Sequence, residues 1–273
     1  MSFFSLFAVV VFAAETIVSP IPDGTPVVVP PLPKPAVSFG QIVNSSPSSQ
    51  VLGESIDATP SATPTPPPHT TNKKSYTIAF LGDSMIDTMG PGLPAVQSRL
   101  HGLYPATNFN LLNYGVGATN LEYGIDRITN SYNYLGNQIP SLASTHPDVV
   151  VLESFAYNPF PDADGGVNRH WLDLGRAVDT LRQTIPGVKI VIAATIAPHP
   201  SEVMSADHVA VIASYLESTI AFANGEHLPL ADAYHGSVPE FTNPGDHIHY
   251  SDAGRAFFAQ KVTEAIQSSR LLE

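Results

Sequence analysis

The sequence contains no cysteine among its 273 residues, so disulfide bonds, thiolate metal ligands and a cysteine nucleophile are excluded. Basic residues are also few: 12 Lys and Arg stand against 24 Asp and Glu, and the net charge is -12. Proteins that follow nucleic-acid phosphates need clustered Lys and Arg side chains, and no such run is present. We therefore expect no nucleic-acid partner.

An almost unbroken apolar run near the amino terminus, residues 3–14, is too short to span a bilayer. Its length and its closing alanines, Ala13 and Ala14, match a secretory signal peptide, although the positive leading region of such a peptide is missing. We predict that residues 1–14 are a signal-like or anchor segment. The protein would then be extracytoplasmic, either secreted or tethered to the membrane or cell wall. The alternatives are a buried amino-terminal strand and a wrongly assigned start codon.

Residues 15–74 are rich in Pro, Ser, Thr and Val, and they hold about half of the 26 prolines in the chain. Proline removes backbone donors and fixes φ, so a segment this rich in proline does not build a helix or a sheet. We predict a disordered, semi-rigid spacer. Its role would be that of a stalk that holds the following domain away from the membrane or cell wall. The alternative is a disordered tail without a function.

From residue 75 to the end, short apolar runs alternate with amphipathic stretches, which is typical of a parallel sheet covered by helices. We predict an α/β domain over residues 75–273, a three-layer α/β/α sandwich with a mostly parallel, flavodoxin-like sheet. Helical periodicity appears around residues 171–181 and 209–220, and a last helix is expected to begin at Ser251. The predicted strands are Tyr76–Leu81, Phe109–Tyr114, Val149–Glu153, Lys189–Ala194 and Leu228–Ala231.

Polar residues follow several of these strands, at the sheet edge where α/β proteins bind ligands. Ser84 comes after the first strand in Gly-Asp-Ser, a glycine-rich stretch at residues 113–120 follows the second, and Asn158 follows the third. Asp246 and His249 form an Asp-x-x-His pair before the last helix. Each feature alone is equally compatible with an ordinary turn or helix cap.

In their order and placement these four features resemble the GDSL/SGNH hydrolases, a family of serine esterases and lipases, over roughly residues 76–267. The resemblance implies that Ser84 is the nucleophile, His249 the base and Asp246 the orienting acid of a catalytic triad. It also implies an oxyanion hole formed by Ser84, Gly117 and Asn158. No cofactor and no metal are expected for this chemistry.

The chain departs from the family pattern at three places. Counting from Asn113 puts the oxyanion glycine at Ala118, whereas aligning the following Ala-Thr puts it at Gly117. The asparagine block, which usually reads Gly-x-Asn-Asp, here has alanine at residue 156 and proline at residue 159. His247 competes with His249 for the role of the base, and the family spacing favours His249.

The resemblance implies cleavage of carboxylic esters through an acyl-serine intermediate. The substrate would be a small-molecule or polysaccharide ester, such as a short acyl group on a carbohydrate. An O-acyltransferase that passes the acyl group to a sugar hydroxyl would use the same residues. A non-catalytic surface-binding module, with Ser84 as a simple cap, is a further alternative. A metal-dependent hydrolase using His235, His247 and His249 is disfavoured, because residues two apart in an extended loop point to opposite sides.

Several aromatic residues would suit a carbohydrate, but they are equally compatible with core or rim packing. The periodic helix face on which Trp171 lies favours the core for that residue. These aromatic residues are Tyr123, Tyr132, Tyr134, Tyr157 and Trp171.

Overall fold

A five-stranded, entirely parallel sheet forms the centre of the protein in the computed structural model, which describes residues 70–160 and 165–273. Its spatial order is β2-β1-β5-β6-β7, which is the flavodoxin-like order for five strands. The strands are β1 (Ser75–Gly82), β2 (Asn108–Gly115), β5 (Val149–Glu153), β6 (Lys189–Ala194) and β7 (Leu230–Asp232). The predicted three-layer α/β/α fold is therefore confirmed.

A small antiparallel hairpin, β3 (Tyr132–Tyr134) with β4 (Asn137–Ile139), lies apart from this sheet. Its two-residue turn consists of Leu135 and Gly136, which both have positive φ, at 50° and 79°. Turns of this kind match the right-handed twist of the strands they join. The hairpin was not predicted from the sequence.

Within residues 70–160 and 165–273, six helices lie between or after these strands. They are α1 (Ser84–Asp87), α2 (Pro94–Leu103), α3 (Leu121–Thr129), α4 (Gly166–Thr184), α5 (Ala206–Gly225) and α6 (Asp252–Ser268), and single 3-10 turns occur at Ala143–Thr145 and Pro239–Phe241. Within the two described ranges, no helix combines the length and apolar character that crossing a membrane would require.

The two faces of the sheet are covered by different helices because side chains along a strand alternate between faces. In β1, Ile78 and Phe80 pack in the cluster that includes α2 and α6, while Ala79 and Leu81 pack in the cluster that includes α3 and α4. Helix α6 begins as expected: Ser251 is its N-cap, and its Oγ accepts a hydrogen bond from the Gly254 N–H at 3.1 Å.

Residues 71–74, at the end of the predicted spacer, are attached to the domain. The Asn72 N–H donates to the Leu272 carbonyl at 2.9 Å, and the Thr71 and Thr107 hydroxyls are 2.8 Å apart. Lys73 forms an ion pair with Asp148. The predicted segment 1–14, and the predicted spacer as far as residue 69, lie outside the described residues.

Candidate active site

Ser84 lies at the junction of β1 and α1, at the carboxyl edge of the sheet. Asp83 is the N-cap of α1 and Ser84 is its first residue. A side chain at Gly82 would have its Cβ only 2.3 Å from Ile86 Cγ1, so glycine is required for this tight turn. Ser84 is half-buried, and neither its N–H nor its hydroxyl donates a hydrogen bond to any residue of the described ranges. Both groups are therefore available to a ligand.

Asn158 is tied directly to the turn at residues 82–84, which carries the candidate nucleophile Ser84 and is called the nucleophile turn below. Its Nδ2 donates a hydrogen bond of 2.8 Å to Oδ2 of the fully buried Asp83, whose Oδ1 accepts from the Met85 N–H at 2.8 Å. The primary amide carries two N–H groups, so one can orient the side chain while the other stays available. The loop keeps this geometry without the glycine and the acid of the usual block, and the left-handed residue in it is Phe155, with φ 52°.

His249 and Asp246 form a hydrogen-bonded pair on the loop that precedes α6. Nδ1 of His249 is 3.0 Å from Oδ2 of Asp246, while Oδ1 accepts from the backbone N–H groups of Ile248 and His249 at 2.9 and 3.0 Å. Burial by itself would raise the pKa of Asp246, but these two N–H bonds and the imidazole outweigh it and lower the pKa. Asp246 is therefore ionised at neutral pH and can orient and stabilise an imidazolium.

The other nitrogen of His249, Nε2, is covered and has no hydrogen-bond partner. The structure does not join it to Ser84 by a hydrogen bond. It does bring His249 close enough to the nucleophile turn that positive charge on the imidazole lowers the pKa of Asp83, against the larger effect of burial, which raises it. Catalytic hydrogen bonds are often long or absent in unliganded sites.

The structure distinguishes His249 from His247. His247 is exposed, has φ 58°, and lines a cleft of about 470 Å³ together with His199, Glu240 and Thr242. Of these two histidines, only His249 is hydrogen-bonded to a carboxylate.

A second histidine–carboxylate pair was missed in the sequence, although it has the same Asp-x-x-His spacing. Nδ1 of His235 is 2.8 Å from Oδ2 of Asp232, and its Nε2 is 3.4 Å from Glu217. Because both ring nitrogens face carboxylates and the side chain is 58% exposed, this imidazole has no free nitrogen for a nucleophile. Across residues 70–160 and 165–273, no three His, Cys, Asp or Glu side chains are grouped so that they could hold a metal ion.

The glycine stretch after β2 passes beside Ser84. A Cβ built on Gly117 would lie 3.9 Å from Ser84 Cβ, so this part of the loop lies beside the candidate nucleophile. The Gly117 N–H, however, donates to the Tyr134 hydroxyl at 3.3 Å. Ala118 is exposed and has φ 58°, a conformation that favours glycine, and its N–H has no partner within the described ranges.

Sequence reasoning also missed the buried groups that join these loops. The guanidinium of the buried Arg127 donates to the Gly82 carbonyl at 2.9 Å and to Thr119 Oγ1 at 3.0 Å, which links the ends of β1 and β2. Glu153, fully buried at the end of β5, accepts from the Asp83 N–H at 3.2 Å and the Phe155 N–H at 2.9 Å. A charged residue within an apolar strand was the only available signal for Glu153.

Two of the aromatic residues considered for carbohydrate binding pack in or against the core. Tyr157 is buried, and its hydroxyl donates to the Ile196 carbonyl at 3.2 Å. Trp171 is half-buried and packs edge-on against Phe222 with ring centroids 5.4 Å apart, so it lies against the core cluster and not within it as expected. Tyr134 is instead at the site, because its hydroxyl contacts the Gly117 peptide.

Comparison with solved structures identifies the class of protein that has this fold. The chain is similar to a lipase/acylhydrolase from Enterococcus faecalis, with a TM-score of 0.55 and 16% identity over 71% of this chain and 96% of that one. A putative GDSL-like lipase from Parabacteroides merdae gives a TM-score of 0.57 and 14% identity over 74% and 99% of the two chains. An acetylxylan esterase from Geobacillus stearothermophilus gives a TM-score of 0.53 and 14% identity over 70% of this chain and 94% of that one.

No family model matches the sequence, and neither does any curated protein. At these identities the likeness concerns the fold, and the protein has the fold of the GDSL-like lipases and acylhydrolases. The fold expected from the motif resemblance is thereby confirmed.

Proposed function

We propose that this protein is a serine hydrolase that cleaves carboxylic esters through an acyl-serine intermediate, with Ser84, His249 and Asp246 as its triad. The observation that carries the proposal is the His249–Asp246 pair: one imidazole nitrogen is held by the carboxylate, while the other has no partner. A histidine in this arrangement can take a proton from a serine hydroxyl.

In the proposed reaction, Ser84 Oγ attacks the ester carbonyl while Nε2 of His249 accepts the hydroxyl proton. The imidazolium, stabilised by Asp246, then gives this proton to the leaving alcohol as the C–O bond breaks. Water, activated by the same imidazole, releases the acid from Ser84. Asp246 keeps its negative charge throughout, in agreement with its lowered pKa.

The oxyanion of the tetrahedral intermediate needs several preorganised N–H donors. The Ser84 N–H and the second N–H of Asn158 are available for this purpose. For the remaining donor we favour Ala118 over Gly117, because the Gly117 N–H already donates to Tyr134 and the Ala118 N–H has no partner in the described ranges. The glycine-like φ of 58° at Ala118 supports the same choice.

For the substrate, we propose a short acyl group on a carbohydrate alcohol. One support is that a protein with this fold is an acetylxylan esterase. Another is the cleft of about 470 Å³ beside the loop that carries His249, whose mainly apolar lining of prolines is interrupted by the polar residues His199, Ser201 and Glu240. A leaving alcohol must lie beside His249 to receive its proton, and this cleft borders the same loop through Thr242, Pro244 and His247.

The triad is tested by measuring kcat on p-nitrophenyl acetate for single and double variants. Ser84→Ala and His249→Ala should each lower kcat by about 10³-fold or more, and the double variant should be no worse than the poorer single, because the residues act on one step. Asp246→Ala should lose less activity. Labelling by a fluorophosphonate probe should disappear in Ser84→Ala.

His247→Ala is the matched control, because this histidine lies on the same loop without a carboxylate partner. It should keep most of the wild-type turnover of p-nitrophenyl acetate, because this ester carries no carbohydrate to occupy the cleft that His247 lines. A folded Ser84→Ala protein with wild-type turnover would refute the serine mechanism, and an inactive His247→Ala beside an active His249→Ala would move the base by two residues.

A further inference from the structure

The β3–β4 hairpin presents one side chain to the candidate oxyanion region. The Tyr134 hydroxyl donates to Asp87 Oδ2 at 2.6 Å and accepts from the Gly117 N–H at 3.3 Å. A Cβ on Gly117 would lie 3.5 Å from the Tyr134 hydroxyl and 3.9 Å from Ser84 Cβ, so the phenol and the nucleophile flank the same point. The phenol therefore lies directly beside the space that the acylated serine must occupy.

The position of Tyr134 in the strand holds the ring there. Tyr134 pairs with Asn137 across the hairpin, and Tyr132, two residues earlier on the same strand, lies against the buried Arg127 guanidinium, which is 5.7 Å from its ring centroid. Asp87, which receives the phenol hydrogen bond, is the last residue of α1, the helix that Ser84 begins. The ring is thus fixed both to the hairpin and to the nucleophile helix.

The hairpin and His249 lie on opposite sides of Ser84. In the chain, the hairpin follows β2 and α3, and it contacts the loop that follows β2. Strand β2 is the edge strand on one side of β1. His249 lies three residues before α6, a helix that packs against α2 and, within the sheet, mainly against β6 and β7 on the other side of β1. The leaving alcohol must lie beside His249, so the side of Ser84 toward the hairpin is left for the acyl group.

We propose that Tyr134, anchored by Asp87, closes the acyl side of the site and restricts the enzyme to short acyl groups, acetyl above all. This inference rests on the proposed ester hydrolysis and adds the residue that sets its acyl specificity. A rigid ring at this place excludes longer chains by its volume, and the phenol–carboxylate pair offers an aliphatic chain a polar surface. A pocket that rejects additional methylenes in this way discriminates by tenfold or more.

The test compares kcat/KM on p-nitrophenyl acetate, butyrate and hexanoate. The full-length wild-type protein should prefer acetate to hexanoate by at least about tenfold, and Tyr134→Ala should reduce this preference by at least about tenfold, mainly through a gain on hexanoate. Tyr134→Val opens the same space with a residue suited to a strand, so it should behave like Tyr134→Ala. Tyr134→Phe keeps the ring and should stay closer to the wild type than to the alanine variant.

Leu135→Ala is the control, because this neighbouring side chain is 81% exposed at the hairpin turn. It should leave all three rates unchanged. General damage to the site would lower kcat/KM equally for all three esters and would leave the ratios between them unchanged. A change in the ratio of acetate to hexanoate therefore reports on the acyl pocket.

The inference is overturned if the wild type cleaves hexanoate as well as acetate, a result that needs no variant. It is also overturned if the folded alanine and valine variants keep the acetate preference, or if Tyr134→Phe changes it as much as Tyr134→Ala does. These failures are distinct from failure of the proposed function, in which the protein would show no Ser84-dependent turnover of any of the three esters.

Discussion

Two carboxyl groups, Asp83 and Glu153, lie fully buried beside the nucleophile turn. Burial raises the pKa of both, and the charge of Asp83 raises that of Glu153 further. The Met85 N–H, the Asn158 amide and the charges of His249 and Arg127 partly offset the rise in the pKa of Asp83. Hydrogen bonds from Ser154 and from the Asp83 and Phe155 N–H groups also lower the pKa of Glu153, but it stays well above its usual range. Of the two, Glu153 is therefore the group that keeps its proton, so the pair avoids two adjacent buried charges.

This assignment predicts a pH-dependent effect of Glu153→Gln on stability. The folded protein holds the Glu153 proton at pH values where the unfolded chain has lost it. The contribution of protonated Glu153 to the free energy of unfolding is therefore complete below the pKa of the unfolded chain, and it is lost as pH rises through the pKa of the folded protein. The neutral amide has no such loss. The melting temperature of the variant relative to the wild type should therefore increase from about pH 4 to about pH 8.

Glu202→Gln, a change at an exposed position, is the matched control and should give a difference that does not vary with pH. A pH-independent difference for Glu153→Gln as well would mean that this carboxyl titrates normally in the folded protein.

At the scale of residues, the sequence could indicate the groups whose chemistry is intrinsic. A serine after a strand and an Asp-x-x-His pair are visible as letters, and Ser84, Asp246 and His249 were chosen from them. Arg127, Glu153 and Tyr134 act through partners that are distant in sequence, such as the Gly82 carbonyl, 45 residues from Arg127. No local pattern reports such a contact.

At the scale of elements, the loop that carries Asp246 and His249 is held at the start of α6. Ser251 Oγ accepts from the Gly254 N–H at 3.1 Å and donates to the Glu240 carbonyl at 2.7 Å, while a bridge between Thr242 and Tyr250 closes the loop. One serine thus caps the helix and fastens both ends of the segment that holds the candidate base.

Ser251→Ala should therefore destabilise the protein more than loss of an isolated cap, which costs about 1 kcal/mol. The comparison is Ser205→Ala at the start of α5, where the serine only accepts from the His208 N–H at 3.2 Å. Thermal melts should show the larger decrease for Ser251→Ala, accompanied by lower esterase turnover. Equal decreases would mean that the bond to Glu240 contributes nothing.

The strands were predictable because parallel strands buried on both faces are continuous apolar runs. Val149–Glu153 and Lys189–Ala194 match the predicted bounds, and β1 and β2 extend one residue further at each end. The last strand begins at Leu230 instead of Leu228, since Pro229 has no N–H for the ladder. The hairpin escaped prediction because its short strands are polar and half-exposed, and a leucine at positive φ is not a turn signal.

At the scale of the whole molecule, the parallel sheet assembles the site. All five strands point the same way, so the loops after β1, β2 and β5 meet at one edge, where Ser84, Ala118 and Asn158 lie. The sequence predicted this convergence from the alternation of strands and helices. It could not predict which N–H groups would remain without partners, because that depends on the packing of the hairpin.

The contacts of residues 71–74 predict where the domain can be shortened. A protein beginning at Thr70 should keep the melting temperature of the full chain and its turnover of p-nitrophenyl acetate. One beginning at Ser75 loses the bonds to Leu272, Thr107 and Asp148 and should melt at a lower temperature. If the protein beginning at Thr70 were unfolded, residues before 70 would belong to the domain; equal melting temperatures for both would make the contacts of 71–74 dispensable.

The hydrogen bond between the Asn72 N–H and the Leu272 carbonyl brings the two ends of the domain side by side. This hydrogen bond lies just before β1, and Ser84 lies just after it. The eight residues of β1 therefore separate the hydrogen-bonded ends of the domain from Ser84 by roughly 26 Å. The two ends of the domain therefore lie next to each other, at the end of β1 opposite the candidate site. We expect that the domain can be inserted into a loop of another protein, or circularly permuted at this junction, without obstructing Ser84.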